Sequence, residues 1–146
     1  MTRKVNKKPT VKAKSTAKKV VNTAKQKTMP IYEKVGKLNK SVADAIKRES
    51  ADICIDKSHL RHILEKHGKE LTQLGLTPIM FIDMVMAHYN RIYKAREEAL
   101  FLVLYGRLPK VIVIEMVIEM GFYKIKTATV MSKIFLKRQK LLWKKK

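Results

Sequence analysis

Four histidines are the side chains of this sequence with the clearest capacity for chemistry: His59, His62, His67 and His88. Three of them lie in residues 58–68, which read SHLRHILEKHG. Histidine can act as acid or base at physiological pH because its pKa lies near neutrality. A zinc site is not indicated, since His62 and His67 are five residues apart rather than four and the chain has a single cysteine, Cys54.

RNA cleavage is the metal-free chemistry that two histidines and nearby cations favour. A base removes the proton of a 2′-hydroxyl, the oxygen attacks the adjacent phosphate, and an acid protonates the leaving 5′-oxygen. Lysine, arginine or a hydroxyl group can stabilise the extra negative charge of the transition state. DNA lacks the 2′-hydroxyl and would resist this reaction.

Residues 58–68 are predicted to form a helix that begins at a cap, Asp56 or Ser58, and ends near Gly68. At 100° per residue, His67 lies within the apolar stripe of this helix, whereas His59, His62 and Lys66 share a polar flank. Two interpretations of His67 stay open: a core histidine bonded to a backbone carbonyl, or an active one.

The remaining elements follow from apolar spacing and turn residues. Helices are predicted over about 31–49, from the cap Thr77 and Pro78 through Tyr89, and over 131–143; a short strand or lead-in covers 51–55. Strands are predicted over 91–95, 99–105, 110–120 and 122–130, joined by links too short for crossover helices. The expected fold class is α+β, with N-terminal helices followed by a four-stranded antiparallel meander.

Charge divides the chain at residue 30. With 33 Lys+Arg against 12 Asp+Glu, the net charge is +21, which favours a polyanionic partner. Residues 1–30 hold ten of the basic residues and no acidic one, so residues 31–146 carry 23 basic and 12 acidic side chains. We expect 1–30 to be a disordered basic arm, for RNA binding or only for solubility, and 31–146 to be a single domain.

Residues 59–68 resemble the paired-histidine helix of phage-associated nuclease-like domains, which belong to the barnase–EndoU–colicin–RelE class of metal-independent endoribonucleases. The likeness covers about residues 31–143 and includes 75–90, the strands at 99–105 and 110–118, and the segment 122–127. It implies that His62 and His67 perform acid–base catalysis and that Lys66 and Thr127 match a basic and a hydroxyl residue of the site. It also implies a bacterial or phage setting.

Strand parity bears on the other candidate residues. In residues 122–127, alternation directs Tyr123 and Thr127 to one face and Lys126 to the other, so Thr127 and Lys126 share a pocket only if a β-bulge intervenes. Arg61, Lys66, Lys126 and Tyr123 are the candidate RNA-binding residues. Glu115 is expected to pair with a cation on a neighbouring strand.

Three functions are compatible with these patterns: a metal-independent endoribonuclease acting as a toxin or mobile-element effector, a non-catalytic nucleic-acid-binding protein, and a basic packaging protein. For the first, the expected partners are RNA, with tRNA among the candidates, and an immunity or antitoxin protein. No cofactor, metal or membrane association is expected. No classical signal peptide is visible, so the expected location is the cytoplasm, or a target cell after delivery from a bacterium or phage.

Overall fold

The computed structural model describes residues 31–146, which fold around one seven-stranded mixed sheet. In chain order the elements are β1 (Tyr32–Leu38), α1 (Lys40–Ala45), β2 (Ala51–Asp56), α2 (Lys57–Gln73), α3 (Pro78–His88), β3 (Arg91–Lys94), β4 (Leu100–Leu104), β5 (Lys110–Val117), β6 (Phe122–Val130), α4 (Lys133–Lys137) and β7 (Leu141–Lys144). The predicted basic arm, residues 1–30, lies outside the described residues.

The strands are ordered β1-β2-β6-β5-β4-β3-β7 across the sheet. Strands β3 to β6 are antiparallel neighbours joined by short links. Strands β2 and β6 are parallel neighbours. The long connection that a parallel pair needs runs through α2, α3, β3, β4 and β5. The fold is α+β, but the predicted arrangement of N-terminal helices followed by a four-stranded antiparallel meander is wrong: the sheet has seven strands, is mixed, and begins before the helices.

The first error concerns residues 31–49, where a strand followed by the short α1 replaces the predicted helix. A bulge interrupts the pairing of β1 with β2 between Lys34 and Gly36, adding one residue at Val35. Val35 and Leu38 both pack on the core although they are three residues apart. A bulged strand thus produced the apolar spacing of a helix.

The second error concerns residues 131–143, where the single predicted helix is instead α4 followed by β7. Strand β7 pairs with β3, placing Trp143 opposite Ile92. The Trp143 ring also packs on Tyr89, with ring centroids 5.8 Å apart. Pairing satisfies backbone groups along β3 that a C-terminal helix would have left unbonded.

The two central helices begin at predicted caps. Asp56 caps α2 and Thr77 caps α3, with Pro78 in the first turn. The predicted end of α2 is wrong: Gly68 lies inside the helix against Leu64, and the chain turns at Gly75, whose φ is +74°. Continuing past Gly68 brings Glu70 and Leu71 onto the same helix as the histidines.

The sheet has two different faces. The larger core lies between one face and helices α1 to α3, and it includes Ile63 and Leu71 of α2. The second face carries a smaller cluster around Phe101 and Val103, on which Leu136 of α4 packs. Because β2 pairs with β6 only at residues 53–54, α2 lies beside the rest of β6, where Glu70 accepts a hydrogen bond from the Val130 amide.

Candidate catalytic groove

A groove of about 700 Å³ runs over the second face of the sheet. Helix α2 lies along one side of it, and α4 with the β3–β4 turn lies along the other. Phe101 and Val113 are among its apolar lining residues. Its polar lining residues come from five parts of the chain: His62, Arg96, Glu97, Glu115, Lys126, Thr127 and Gln139.

A β-bulge brings Lys126 and Thr127 into the groove together. Thr127 pairs with Val113 and Ile125 pairs with Ile114, so Lys126 is the extra residue of β6. Alternation alone would have separated the two side chains onto opposite faces. The sequence predicted that they could share a pocket only with a bulge between the strands, and the structure contains that bulge.

The Thr127 hydroxyl lies at the groove without a hydrogen-bond partner. Its Oγ1 atom is buried, and no described residue bonds to it. Leaving a buried hydroxyl unsatisfied costs about 1–3 kcal/mol. Because the atom is buried in the free protein, a ligand oxygen can accept from it only when the neighbouring side chains move apart.

Lys126 has a charged neighbour on the adjacent strand. Its Nζ lies 3.4 Å from Oε1 of Glu115, in the cross-strand pairing expected for Glu115. Both side chains are partly exposed, so the attraction is weakened by water and salt. The pair holds the ammonium group at the groove while leaving it free to bind a phosphate.

His62 projects from the exposed side of α2 into the groove. Arg96 lines the groove from the β3–β4 turn, and Lys126 lines it from β6. The groove therefore combines an imidazole, two cations, two carboxylates and the unbonded hydroxyl of Thr127. This combination can bind an anionic phosphodiester and exchange protons with it.

His67 is held in a hydrogen-bonded chain next to β6. Its Nδ1 lies 3.3 Å from Oγ1 of Thr129, and that hydroxyl donates to Oε1 of Glu70 at 3.0 Å. When the hydroxyl donates to Glu70 it accepts from His67, and in that arrangement the imidazole carries its hydrogen on Nδ1. His67 is not among the residues that line the groove, and its bonds tie α2 to the sheet.

Asp56 and His59 form a pair that the sequence analysis did not identify. Asp56 is buried, and its Oδ1 accepts hydrogen bonds from the His59 backbone N–H at 2.7 Å and from Nδ1 at 2.8 Å. Burial alone would raise the pKa of Asp56, but these bonds and the charges of His59 and Lys124 lower it below its usual value. The sequence feature that could have revealed this pair is an acidic helix cap three residues before a histidine.

The other proposed RNA-binding residues lie elsewhere. Tyr123 is buried on the opposite face, where its hydroxyl donates to the Glu49 carbonyl at 2.7 Å; burial is the main cause of its raised pKa. The bulge at Lys126 explains why Tyr123 and Thr127 do not share a face as alternation predicted. Arg61 lines a separate depression between α2 and α3, and Lys66 is exposed.

Two further expectations concern metals and membranes. Among residues 31–146, no group of three or more histidine, cysteine, aspartate or glutamate side chains is placed to hold a metal ion. In the same part of the chain, no helix has the length and apolar character that crossing a membrane requires.

His88, the last residue of α3, is exposed.

Comparison of the chain with family models, with curated proteins and with solved structures finds no match. The resemblance to nuclease-like domains therefore stays a prediction that rests on the sequence. The function must be argued from the groove itself.

Proposed function

We propose that this protein is a metal-independent endoribonuclease that cleaves RNA in the groove between α2 and α4. The observation that carries the proposal is the convergence of His62, Lys126 and Thr127, which come from a helix and a bulged strand. An imidazole, an ammonium group and a hydroxyl are the groups that phosphodiester cleavage by an internal 2′-hydroxyl needs.

Phosphate binding is assigned to the cations of the groove. Lys126 and Arg96 attract the scissile phosphate and stabilise the charge that builds on its non-bridging oxygens. The unbonded Thr127 hydroxyl donates to one of these oxygens and so gains the partner that it lacks in the free protein. Glu115 keeps Lys126 directed into the groove.

Proton transfer is assigned to His62. In the proposed step the bond from the 2′-oxygen to phosphorus forms while the bond from phosphorus to the 5′-oxygen breaks. The products are a 2′,3′-cyclic phosphate and a 5′-hydroxyl, so one proton leaves the 2′-oxygen and one reaches the 5′-oxygen. His62 is a suitable carrier because its exposed imidazole lies at the groove, and an imidazole can both accept and donate a proton.

The setting of this activity is proposed from the resemblance and the charge. A nuclease of this kind would act as a toxin or a mobile-element effector, in the cytoplasm of its own cell or after delivery to another. RNA is the proposed partner, with an immunity or antitoxin protein as a second one. The high positive charge supports rapid, salt-dependent capture of RNA.

The experiment is cleavage of labelled RNA by the full-length protein in excess EDTA. We expect fragments that end in a 2′,3′-cyclic phosphate, and a loss of about a hundredfold or more in His62→Ala. His88→Ala is the matched control, since it removes an exposed histidine that lies on α3. Replacing the 2′-hydroxyl at the cleaved position by hydrogen should abolish the reaction.

A non-catalytic RNA-binding protein is the second candidate, favoured by the net charge of +21. In that case the wild type and His62→Ala bind RNA equally well and neither cleaves it. Binding would then fall with salt concentration without any contribution from the groove histidine.

A further inference from the structure

The proposed cleavage needs two proton carriers, and His62 supplies one of them. The second must accept a proton from the 2′-hydroxyl near the same phosphate. The Asp56–His59 pair has the geometry of such a base. This inference rests on the proposed function and assigns a further residue to the same reaction.

The hydrogen bond to Asp56 determines which nitrogen of His59 is basic. A carboxylate can only accept, so the bond of 2.8 Å to Nδ1 means that Nδ1 carries the hydrogen. In the neutral ring, Nε2 is then the free acceptor. The carboxylate also stabilises the imidazolium that forms when Nε2 takes up a proton, as in other aspartate–histidine pairs.

The pair lies at the N-terminal end of α2, the helix that brings His62 to the groove. His59 precedes His62 by three residues, so the two side chains are separated by about 60° around the helix and about 4.5 Å along it. Lys124 acts on Asp56 through its charge, and it is paired in the sheet with Glu115, a groove residue. His59 is not itself a groove-lining residue, but it lies within one helical turn of His62, and Asp56 is close enough to Lys124 to be affected by its charge.

We propose that His59 is a second catalytic residue, the general base, which Asp56 positions, and that His62 is the general acid. Nε2 of His59 takes the proton of the 2′-hydroxyl as the oxygen bonds to phosphorus. His62 gives a proton to the 5′-oxygen as its bond to phosphorus breaks. Proton exchange with water then returns both rings to their starting states.

Two other side chains are weaker candidates for the base. Nδ1 of His67 is bonded to Thr129, and His67 does not line the groove. Glu115 lines the groove, but its carboxylate is already paired with the ammonium group of Lys126. His59 is also absent from the groove lining, but it lies within one helical turn of His62 and, unlike His67, its Nδ1 is bonded directly to a carboxylate.

Helix capping is the alternative explanation of the pair, and one substitution separates the two roles. Asn is as good a cap as Asp, so Asp56→Asn keeps the bond from the His59 backbone while removing the charge. If Asp56 only caps α2, this variant cleaves RNA at the wild-type rate. If it positions the base, cleavage falls about tenfold or more in a variant that remains folded under the assay conditions.

The deciding experiment compares two substrates in the full-length protein. One is an ordinary oligoribonucleotide, and the other carries sulfur in place of the 5′-oxygen at the cleaved linkage. A thiolate leaves without an acid, so the sulfur substrate bypasses the acid but still needs the base. We expect His59→Gln to lose about a hundredfold or more on both substrates, and His62→Ala to lose as much only on the oxygen substrate.

Each other outcome overturns the assignment in a recognisable way. Wild-type cleavage by His59→Gln, with His62→Ala inactive, removes His59 and leaves the proposed function standing. Recovery of His59→Gln on the sulfur substrate makes His59 the acid instead. If Glu115→Gln alone is inactive on both substrates, Glu115 is the base. An inactive wild type overturns both the proposed function and this inference.

A measurement without substrate tests the same geometry. The nitrogen chemical shifts of the His59 ring, recorded where the ring is neutral, report which nitrogen carries the hydrogen. We expect hydrogen on Nδ1 in the wild type and a shift toward the Nε2–H form in Asp56→Asn. Hydrogen on Nε2 in the wild type overturns the proposal, because that nitrogen would then have no free electron pair.

Discussion

Lys126 and Glu115 face each other across β5 and β6, with Nζ of the lysine 3.4 Å from Oε1 of the glutamate. The bulge in β6 makes this contact possible, because Lys126 is the residue that has no partner in the sheet register. The contact means that a phosphate entering the groove meets a cation that already has a carboxylate beside it. Affinity for RNA in the groove is thereby reduced from what Lys126 alone would provide.

Glu115→Gln should therefore bind RNA more tightly. We expect a several-fold lower Kd at low salt and a salt dependence steeper by about one phosphate contact on single-stranded RNA. Fluorescence anisotropy with 2′-O-methyl RNA, which cannot be cleaved, measures both quantities. Glu119→Gln, at an exposed position in the β5–β6 turn, is the matched control. Equal tightening in both variants would show a general charge effect instead.

Thr127→Val should separate activity from stability. Valine has nearly the shape of threonine, and the hydroxyl that it lacks is buried and unbonded in the free protein. We expect the free energy of unfolding to stay constant or rise by about 1 kcal/mol, while cleavage falls. Urea denaturation and a cleavage assay on the same preparation test this. Clear destabilisation would mean that the hydroxyl has a partner within the protein.

His67→Ala should affect stability more than chemistry. The substitution removes the donor to Thr129 and loosens the attachment of α2 to β6, at a cost of about 1 kcal/mol. We expect the folded variant to keep most of the cleavage that His62→Ala loses. A fully folded but inactive His67→Ala would instead support the His62–His67 pair predicted from the sequence.

The sequence predicted strands β3 to β6 closely because their apolar runs are separated by short turn-forming links. It also predicted Thr77 as the cap of α3 and Asp56 as one of two candidate caps of α2, the other being Ser58. These signals are local, since each depends on residues a few positions apart. They explain why the antiparallel order of β3 to β6 and the start of the histidine helix could be predicted.

The remaining features depend on contacts between distant segments. The bulge at Val35 gave a strand the apolar spacing of a helix. The bulge at Lys126 placed Thr127 on the face of the sheet opposite to the face that carries Tyr123. Apolar spacing cannot distinguish these cases, because a bulge alters the period by one residue. Likewise, β2 pairs with only two residues of β6, and that short pairing leaves room for α2 to bring His62 to the groove.

The close contact of β1 with α3 provides a test of packing. A Cβ atom on Gly36 would overlap Cε of Met86 and crowd its Cγ and Sδ atoms. We expect Gly36→Ala to cost about 1 kcal/mol, since the methionine can move, and Gly36→Val to cost about 1–3 kcal/mol.

Gly106→Ala is the control, because no atom lies within 4 Å of its added Cβ. Denaturant unfolding of the three variants gives the comparison. Adding Met86→Ala to Gly36→Ala should reduce the cost of the glycine substitution, since the overlapping atoms are gone. If the destabilisations of Gly36→Ala and Met86→Ala simply add in the double variant, the contact between Gly36 and Met86 is contradicted.

Asp56 should make stability depend on pH in the acid range. Its pKa in the folded protein lies below the usual value of 3.8, so the unfolded chain binds a proton more readily than the folded one. The stabilisation is therefore complete above the usual pKa and is lost as the pH falls through the folded pKa. We expect the wild type to exceed Asp56→Asn in free energy of unfolding at pH 6, with the difference disappearing toward pH 2. Asp83→Asn, an exposed residue of α3, controls for general charge, and the same pH dependence in that variant would refute the assignment to Asp56.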